Sequence, residues 1–512
     1  MIHQINLLLN FGLKKGLISR SDLYYAANRL LAILGETSFT FEAVDEELSS
    51  PTPILEKILD LAVERSLVEN TLVRRDLFDT LVMDCLMPRP NEVVKRFQAL
   101  YDHSPLEATD YYYDLSINSN YIRKTRTDAN IVWPYETSFG QLEITINLSK
   151  PEKDPRDIAA ARNAPATNYP ACLLCRENEG FAGNLLHPAR QNLRLIPLPE
   201  EQAGGRAEQG LEWFMQYSPY IYYNEHCIFL NTSHIPMVID RSTFRRLLSI
   251  LDWLPHYFVG SNADLPIVGG SILSHDHYQG GRHTMPIEKA QIEKSYTLAK
   301  YNSVSVGRVN WPLSTLRLNG QNLEDIAHLA EIILKAWRQF SDPELGILAQ
   351  TGSEPHNTVT PVARRRDGRY ELDLVLRNNR TSPEHPMGLF HPHEDVHHIK
   401  KENIGLIEAM GLAILPARLL DELAAIEEAL NTGQADLGHQ AEMEKHQNWY
   451  QFLRQKALDR PGQDYHKLVR DEVGEKFLRC ILDAGVFKRN DEGLAGFDRF
   501  MDSLRAHKSL QN

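Results

Sequence analysis

Apolar positions recur with two different periods along this chain. Near the start the period is helical: Tyr24, Ala27, Leu31 and Leu34 follow Ser21-Asp22 at three-four spacing and stop at Gly35, which predicts a capped helix. Residues 54 to 63 continue the pattern after Pro53, and the first 125 or so residues read as helical throughout. From Leu142 the period falls to two. Leu142, Ile144, Ile146 and Leu148 alternate with Glu143, Thr145 and Asn147, the mark of a half-buried antiparallel strand. A second strand is expected from Tyr220 to Leu230. A helix is expected after Asp240-Arg241-Ser242, with Phe244, Leu247, Leu248, Leu251 and Leu254 on one face.

After about residue 300 the scheme repeats, with a helix through Leu323, Ile326, Leu329 and Ile333 and a strand through Leu372, Leu374 and Leu376. Each half also holds a His-x-His, at His275/His277 and His391/His393, which suggests a duplicated α+β unit. The last 80 residues return to helical spacing around Trp449, Phe452, Leu453 and Leu458. The expected division is a helical extension over 1–125, one α+β domain over 126–300, a second over 301–425, and a helical C-terminal segment over 426–512.

Composition narrows the class. At 512 residues the chain is too long for one ordinary core. No apolar run reaches the length of a membrane span, and Lys14 and Lys15 follow the Leu7-Leu8-Leu9 run instead of preceding it as in a signal peptide, so a cytoplasmic location is expected. Five cysteines are too few and too odd a set for a disulfide framework. A net charge of −13 argues against nucleic acid or anionic membrane as partners. Anionic substrates would need local cations, and the chain offers Arg364-Arg365-Arg366 and a cluster from Arg377 and Arg380 to Lys400-Lys401. Both also read as solvated loop charges.

The chemistry concentrates in the middle. Cys172-Leu173-Leu174-Cys175 has the spacing of two thiolates on one metal ion, although such a pair also serves as a redox couple or as two small buried residues. His234 and His275 are the best candidates to complete a tetrahedral site. Cys2His2 would be a closed shell, hence structural. His275 and His277 are one residue apart, so both rings project to one side of an extended segment, and an anchored His275 would preorganise His277 for attack on phosphorus. Gln279 lies two residues further on, positioned to hold a phosphate oxygen or the attacking ring. Upstream, Gly269-Gly270-Ser271 lets backbone N–H groups approach an anion.

With these marks the chain resembles the galactose-1-phosphate uridylyltransferases of the histidine-triad superfamily, most closely their second family. The likeness runs from about Trp133 to about Arg418. It rests on the strand Leu142–Leu148, Cys172-x-x-Cys175, His234, the Gly-rich turn and His275-Asp276-His277-Tyr278-Gln279. The resemblance implies an α+β fold of duplicated histidine-triad-like antiparallel sheet units with flanking helices, a helical N-terminal extension and a helical tail. It implies structural zinc on Cys172, Cys175, His234 and His275, no organic cofactor, His277 as nucleophile and Gln279 on the transferred phosphate.

The implied reaction moves UMP between UDP-glucose and galactose 1-phosphate, giving glucose 1-phosphate and UDP-galactose, in a homodimer. Lys401, in Lys400-Lys401-Glu402-Asn403-Ile404-Gly405, matches the family's lysine-bearing substrate segment. Asn192, Asn224 and Asn262 are candidates for uridine contact, with a structural role equally open to each. Asp276 stands where the better-studied first family has proline, and that family's second metal site has no convincing match here; His391 and His393 read either as its remnants or as residues that only cap a loop. Two other classes stay in view: a dinucleoside polyphosphate hydrolase or phosphorylase using the same histidine chemistry, and a zinc-stabilised binding module.

Overall fold

The computed structural model describes residues 1–44, 49–149, 156, 169–202, 212–270, 272–438, 441–460 and 462–505. Ser271 lies outside them. The chain divides into two compact units. The first comprises Met1–Ala129, Ser149–Pro236 and Ser274–Gly281; the second comprises Asn130–Leu148, Met237–Leu273 and Arg282–Asn512.

The first unit opens with six helices of twelve to fourteen residues, from Ile2–Lys14 to Pro105–Asn118. Leu23–Leu34 is the helix expected behind Ser21-Asp22, and Gly35 ends it in the left-handed conformation at φ 67°, where a Cβ would be strained. Its buried face is Leu23, Ala26, Ala27, Leu30 and Leu34, so Tyr24 turns outward at 64% exposure. Two stripes fit the same spacing, and the aliphatic one wins the core.

These helices accompany an antiparallel run of strands in the order Ile196–Pro197, Trp213–Tyr217, Cys227–Asn231 and His277–Gly281. The strand expected from Tyr220 begins only at Cys227. Glu225, at φ 55°, turns the chain there, and the His226 N–H bonds back to the Tyr223 carbonyl at 3.2 Å, so residues 220–226 form a turn that feeds the strand.

In the second unit, the antiparallel order is Phe258–Gly260, Asn357–Arg366, Arg369–Asn378, Thr315–Gly320, Ser305–Val309 and Ile292–Tyr296. Helix Arg241–Trp253 starts as expected at Asp240, whose carboxylate accepts from the Thr243 N–H at 3.1 Å. It packs beside helix Leu323–Gln339 and against the Asn357–Arg366 strand. A smaller sheet joins Ile131–Thr137, Gly140–Ile146 and Leu412–Leu415. There Leu142, Ile144 and Ile146 of the expected alternation lie on the central strand, antiparallel to one neighbour and parallel to the other, and the strand ends before Leu148.

The alternating strand around Leu374 is buried on both faces, because Glu371 and Asp373 on its polar side are covered by ion pairs from Arg317 and Arg364. Helices from Leu419 to Arg505 close the unit, with Trp449, Tyr450 and Leu453 buried and Phe452 and Leu458 exposed. The fold is α+β, helical at both ends. Among the described residues no helix is long and apolar enough to cross a membrane.

Candidate active site

Four ligand-type side chains converge in the first unit. Cys172 and Cys175 sit on a tight turn in which the Cys175 N–H reaches the Cys172 carbonyl at 3.3 Å. The Leu174 N–H points at the Cys172 sulfur, also at 3.3 Å. Buried Asn178 clamps this turn, donating from its amide nitrogen to the carbonyls of Cys172 at 2.9 Å and Cys175 at 2.7 Å. His234 arrives on the turn after the Cys227–Asn231 strand, which Asn231 shapes by accepting the Ser233 N–H at its Oδ1.

The sulfur atoms lie 3.6 Å apart. Cys172 Sγ is 3.1 Å from His275 Nδ1, and Cys175 Sγ is 3.3 Å from His234 Nδ1. All four donor atoms fall within 4.8 Å of one another. Tetrahedral zinc with bonds of about 2.0 to 2.3 Å separates its ligands by roughly 3.3 to 3.8 Å, so the donor set fits a small tetrahedral cation. His275 Nε2 donates to the Asn231 carbonyl at 2.6 Å, which leaves the Nδ1 lone pair facing the sulfurs. Burial, with the neighbouring Cys172, pushes the Cys175 thiol up to about 11, and a bound cation would reverse that by favouring the thiolate.

Asp276 spaces the two histidines. Its N–H bonds the Ile235 carbonyl at 2.8 Å and its carbonyl accepts the Asn231 N–H at 3.1 Å. Main-chain bonds on both sides fix the segment without a proline. His277 then opens the His277–Gly281 strand, 6% exposed, with Tyr278 stacked on Trp213 at 4.8 Å beside it. His277 Nδ1 lies 2.7 Å from the His275 carbonyl oxygen. A carbonyl can only accept, so the ring proton is on Nδ1 and the Nε2 lone pair is free. Burial lowers this ring to about 4, keeping it neutral near pH 7. Gln279 stands on the same strand, paired in register with Ile228, and its amide oxygen is 3.1 Å from His226 Nε2.

His226 was not legible in the sequence, since only the pairing of Cys227 with Gly280 brings it to Gln279.

A cavity of about 410 Å³ lies within the same unit, lined among others by Leu173, Asn192, Arg190, Tyr121, Arg123 and Arg126. That volume is in the range of small-ligand sites. The last three come from the end of the helical segment in which the sequence offered no chemistry. Arg123 is held by Asp79, and Arg126 chelates Asp76 at 2.7 and 2.9 Å. Arg190, by contrast, makes a cation–π contact with Tyr121 at 5.6 Å. Asn192 donates to the Ser119 carbonyl at 2.9 Å. Asn224 is exposed and its amide faces Glu225 at 3.3 Å.

The remaining candidates belong to the second unit. Asn262 is 6% exposed and its Oδ1 receives the Leu406 N–H at 2.9 Å. Gly270 packs so closely on it that a Cβ would stand 2.5 Å from the Asn262 amide nitrogen. Arg380 donates to the Gly346 carbonyl at 2.7 Å, Lys401 is exposed, and Lys400 is buried on Glu408 at 2.9 Å. Arg364 is paired with Glu371 and Asp373, and Arg365 with Asp252, so these two arginines are engaged in ion pairs. His391 bonds the Pro392 carbonyl and Asn403 at 3.0 and 3.3 Å, and His393 stacks on His385.

Comparison with known proteins identifies a family. Family models for the N-terminal and C-terminal domains of galactose-1-phosphate uridyl transferase match residues 16–236 and 251–451. A galactose-1-phosphate uridylyltransferase of Clostridium acetobutylicum is 55% identical, covering 98% of this chain and 99% of its own. The Bacillus subtilis enzyme of the same name is 48% identical over 99% and 98%. Among solved structures, yeast Ap4A phosphorylase Apa2 covers 57% of this chain and 84% of its own at 12% identity and a TM-score of 0.31, too low to bear on fold or activity. Full-length identity near one half, with both domain models in order, makes this chain a member of the galactose-1-phosphate uridylyltransferase family.

Proposed function

We propose that the chain transfers a uridylyl group between UDP-glucose and galactose 1-phosphate through His277. The observation that carries the reading is the 2.7 Å contact from His277 Nδ1 to the His275 carbonyl, which leaves a neutral ring with its Nε2 lone pair available. In the first half-reaction that lone pair attacks the α-phosphorus of UDP-glucose. An N–P bond forms, the bridging P–O bond breaks, and its electron pair leaves with glucose 1-phosphate. Nδ1 keeps its proton throughout, and the positive charge that develops on the ring faces the His275 carbonyl dipole. In the second half-reaction a phosphate oxygen of galactose 1-phosphate attacks the same phosphorus, the N–P bond breaks, and UDP-galactose leaves. Ping-pong kinetics follow, because one site serves two leaving groups in turn.

Cys172, Cys175, His234 and His275 would hold zinc, which with four protein ligands supplies rigidity and no open coordination position. The cavity beside Leu173 suits the uridine, with Asn192 and Arg190 as its polar contacts. Gly270, Asn262, Arg380 and Lys401 remain as candidate contacts to the phosphates and sugar, in an enzyme expected to act as a homodimer.

The test uses UDP-glucose labelled in the α-phosphate. The wild-type enzyme should retain label after gel filtration and release it as UDP-galactose when galactose 1-phosphate is added. Release to water or to orthophosphate instead would favour the dinucleoside polyphosphate reading, and absence of labelling would end the covalent one.

A further inference from the structure

Among the described residues the Gln279 amide meets a buried histidine, His226. His226 is 3% exposed. Its ring packs on the side chains of Tyr222 and Tyr223, with centroids 5.3 and 4.7 Å away, and its Nδ1 is 2.9 Å from the Tyr220 carbonyl oxygen. The carbonyl accepts only, so the proton of the ring sits on Nδ1. A neutral imidazole has one N–H. Nε2 is therefore a lone pair, and it needs a donor: a half-turn of the Gln279 amide, which exchanges its oxygen and nitrogen, puts N–H where the amide oxygen stands 3.1 Å from the ring. Burial, which lowers this ring to about 4, keeps it in the neutral form.

We propose that His226 is a positioning residue for uridylyl transfer, taking one N–H of the Gln279 amide at Nε2 and so fixing the direction in which the second N–H meets the transferred phosphoryl group. This rests on the reading of His277 and Gln279 as the reacting pair. The strands supply the geometry: Cys227 pairs with Gly280 and Ile228 with Gln279, so His226, just before the first strand, falls opposite Gly281 at the end of the second and reaches Gln279, two residues along on the same face, diagonally. A free glutamine side chain must surrender its rotamer freedom on binding substrate. One tied to a buried ring has already done so. No proton moves through His226 in this scheme; the ring is a fixed acceptor.

Two substitutions separate positioning from structure. Asparagine places its amide near Nδ1, so His226→Asn keeps a donor for the Tyr220 carbonyl and loses the acceptor for Gln279. Glutamine reaches to the Nε2 position, so His226→Gln keeps that acceptor and loses the Tyr220 bond. His226→Asn should lower kcat roughly 10- to 100-fold with little change in KM, and His226→Gln should recover most of it, even where its melting temperature is the lower of the two. In a Gln279→Ala background, His226→Asn should cost almost nothing more. Neutron diffraction of the wild-type crystal should find deuterium on Nδ1 and none on Nε2, a readout that survives even if a variant fails to fold.

The proposal is overturned by an Nε2–H ring, by wild-type turnover in His226→Asn, or by losses that add in full across the two sites. Labelling of wild-type protein by UDP-glucose stands apart from all of these: its failure would remove the His277 reading, whereas additive losses in an enzyme that labels normally would remove only the role of His226.

Discussion

His277 donates from Nδ1 to the carbonyl oxygen of His275, two residues before it, across 2.7 Å. In the proposed reaction the bond decides which nitrogen attacks, and it also gives a way to remove that nitrogen without emptying the site. In His277→Asn the shorter amide still has a donor for that carbonyl but no atom at the Nε2 position. The variant should keep its fold and bound metal while kcat falls by at least roughly three orders of magnitude and label from UDP-glucose no longer stays on the protein. Turnover within tenfold of wild type would refute the covalent role.

The Cys/His cluster makes a separate prediction. Elemental analysis should give about one zinc per chain, since four ligands close one tetrahedral shell. Cys172→Ser should lower that occupancy and the unfolding temperature together, because an ion bound by the folded chain alone stabilises it in proportion to its affinity. Full activity in protein stripped of metal would reduce the cluster to a hydrogen-bonded core.

How far the sequence disclosed the site depends on how local each relationship is. Helix Leu23–Leu34 ends at its glycine, and helix Arg241–Trp253 begins at its capping aspartate, because both signals act within one turn of chain. The pairing of Cys172 and Cys175 is legible for the same reason. His226 was not: its partner is 53 residues away and is reached only through strand register, which alternation does not reveal. Arg123 and Arg126 carry no motif that marks them in the sequence; only the fold brings their segment onto Asp76 and Asp79 beside a cavity. Asp276 needed the structure as well, since its stiffness comes from bonds to Ile235 and Asn231.

Gly270 and Asn262 test whether the Gly-rich turn matters for packing or for ligand. A methyl at Gly270 would meet the Asn262 amide nitrogen at 2.5 Å, and Asn262 is held by the Leu406 N–H, so it cannot swing away without breaking that bond. Gly270→Ala should cost about 1 to 3 kcal/mol of stability, read as a lower urea midpoint. If the turn also binds substrate, KM rises while zinc content stays level; a purely structural turn leaves KM unchanged once the protein is folded.

Acid stability should depend measurably on His398, in the second unit. Its ring packs against His446 and Trp449, each with its centroid 5.3 Å away, and its buried Nε2 has no hydrogen-bond partner among the described residues. Burial first, then His446 and the cations Lys476 and Arg418, lower it to about 3, with Asp395 opposing. The unfolded chain takes up this proton near pH 6.5, whereas the folded chain resists it down to about pH 3. The unfolded state therefore binds more protons across that window, and stability contributed above pH 6.5 drains away as pH falls through it. His398→Phe removes the titrating group and keeps a ring of similar shape. Urea midpoints measured between pH 7 and pH 4.5 should fall less steeply in the variant, by up to one proton's worth of slope. Equal slopes in the two proteins would mean that His398 protonates as easily folded as unfolded.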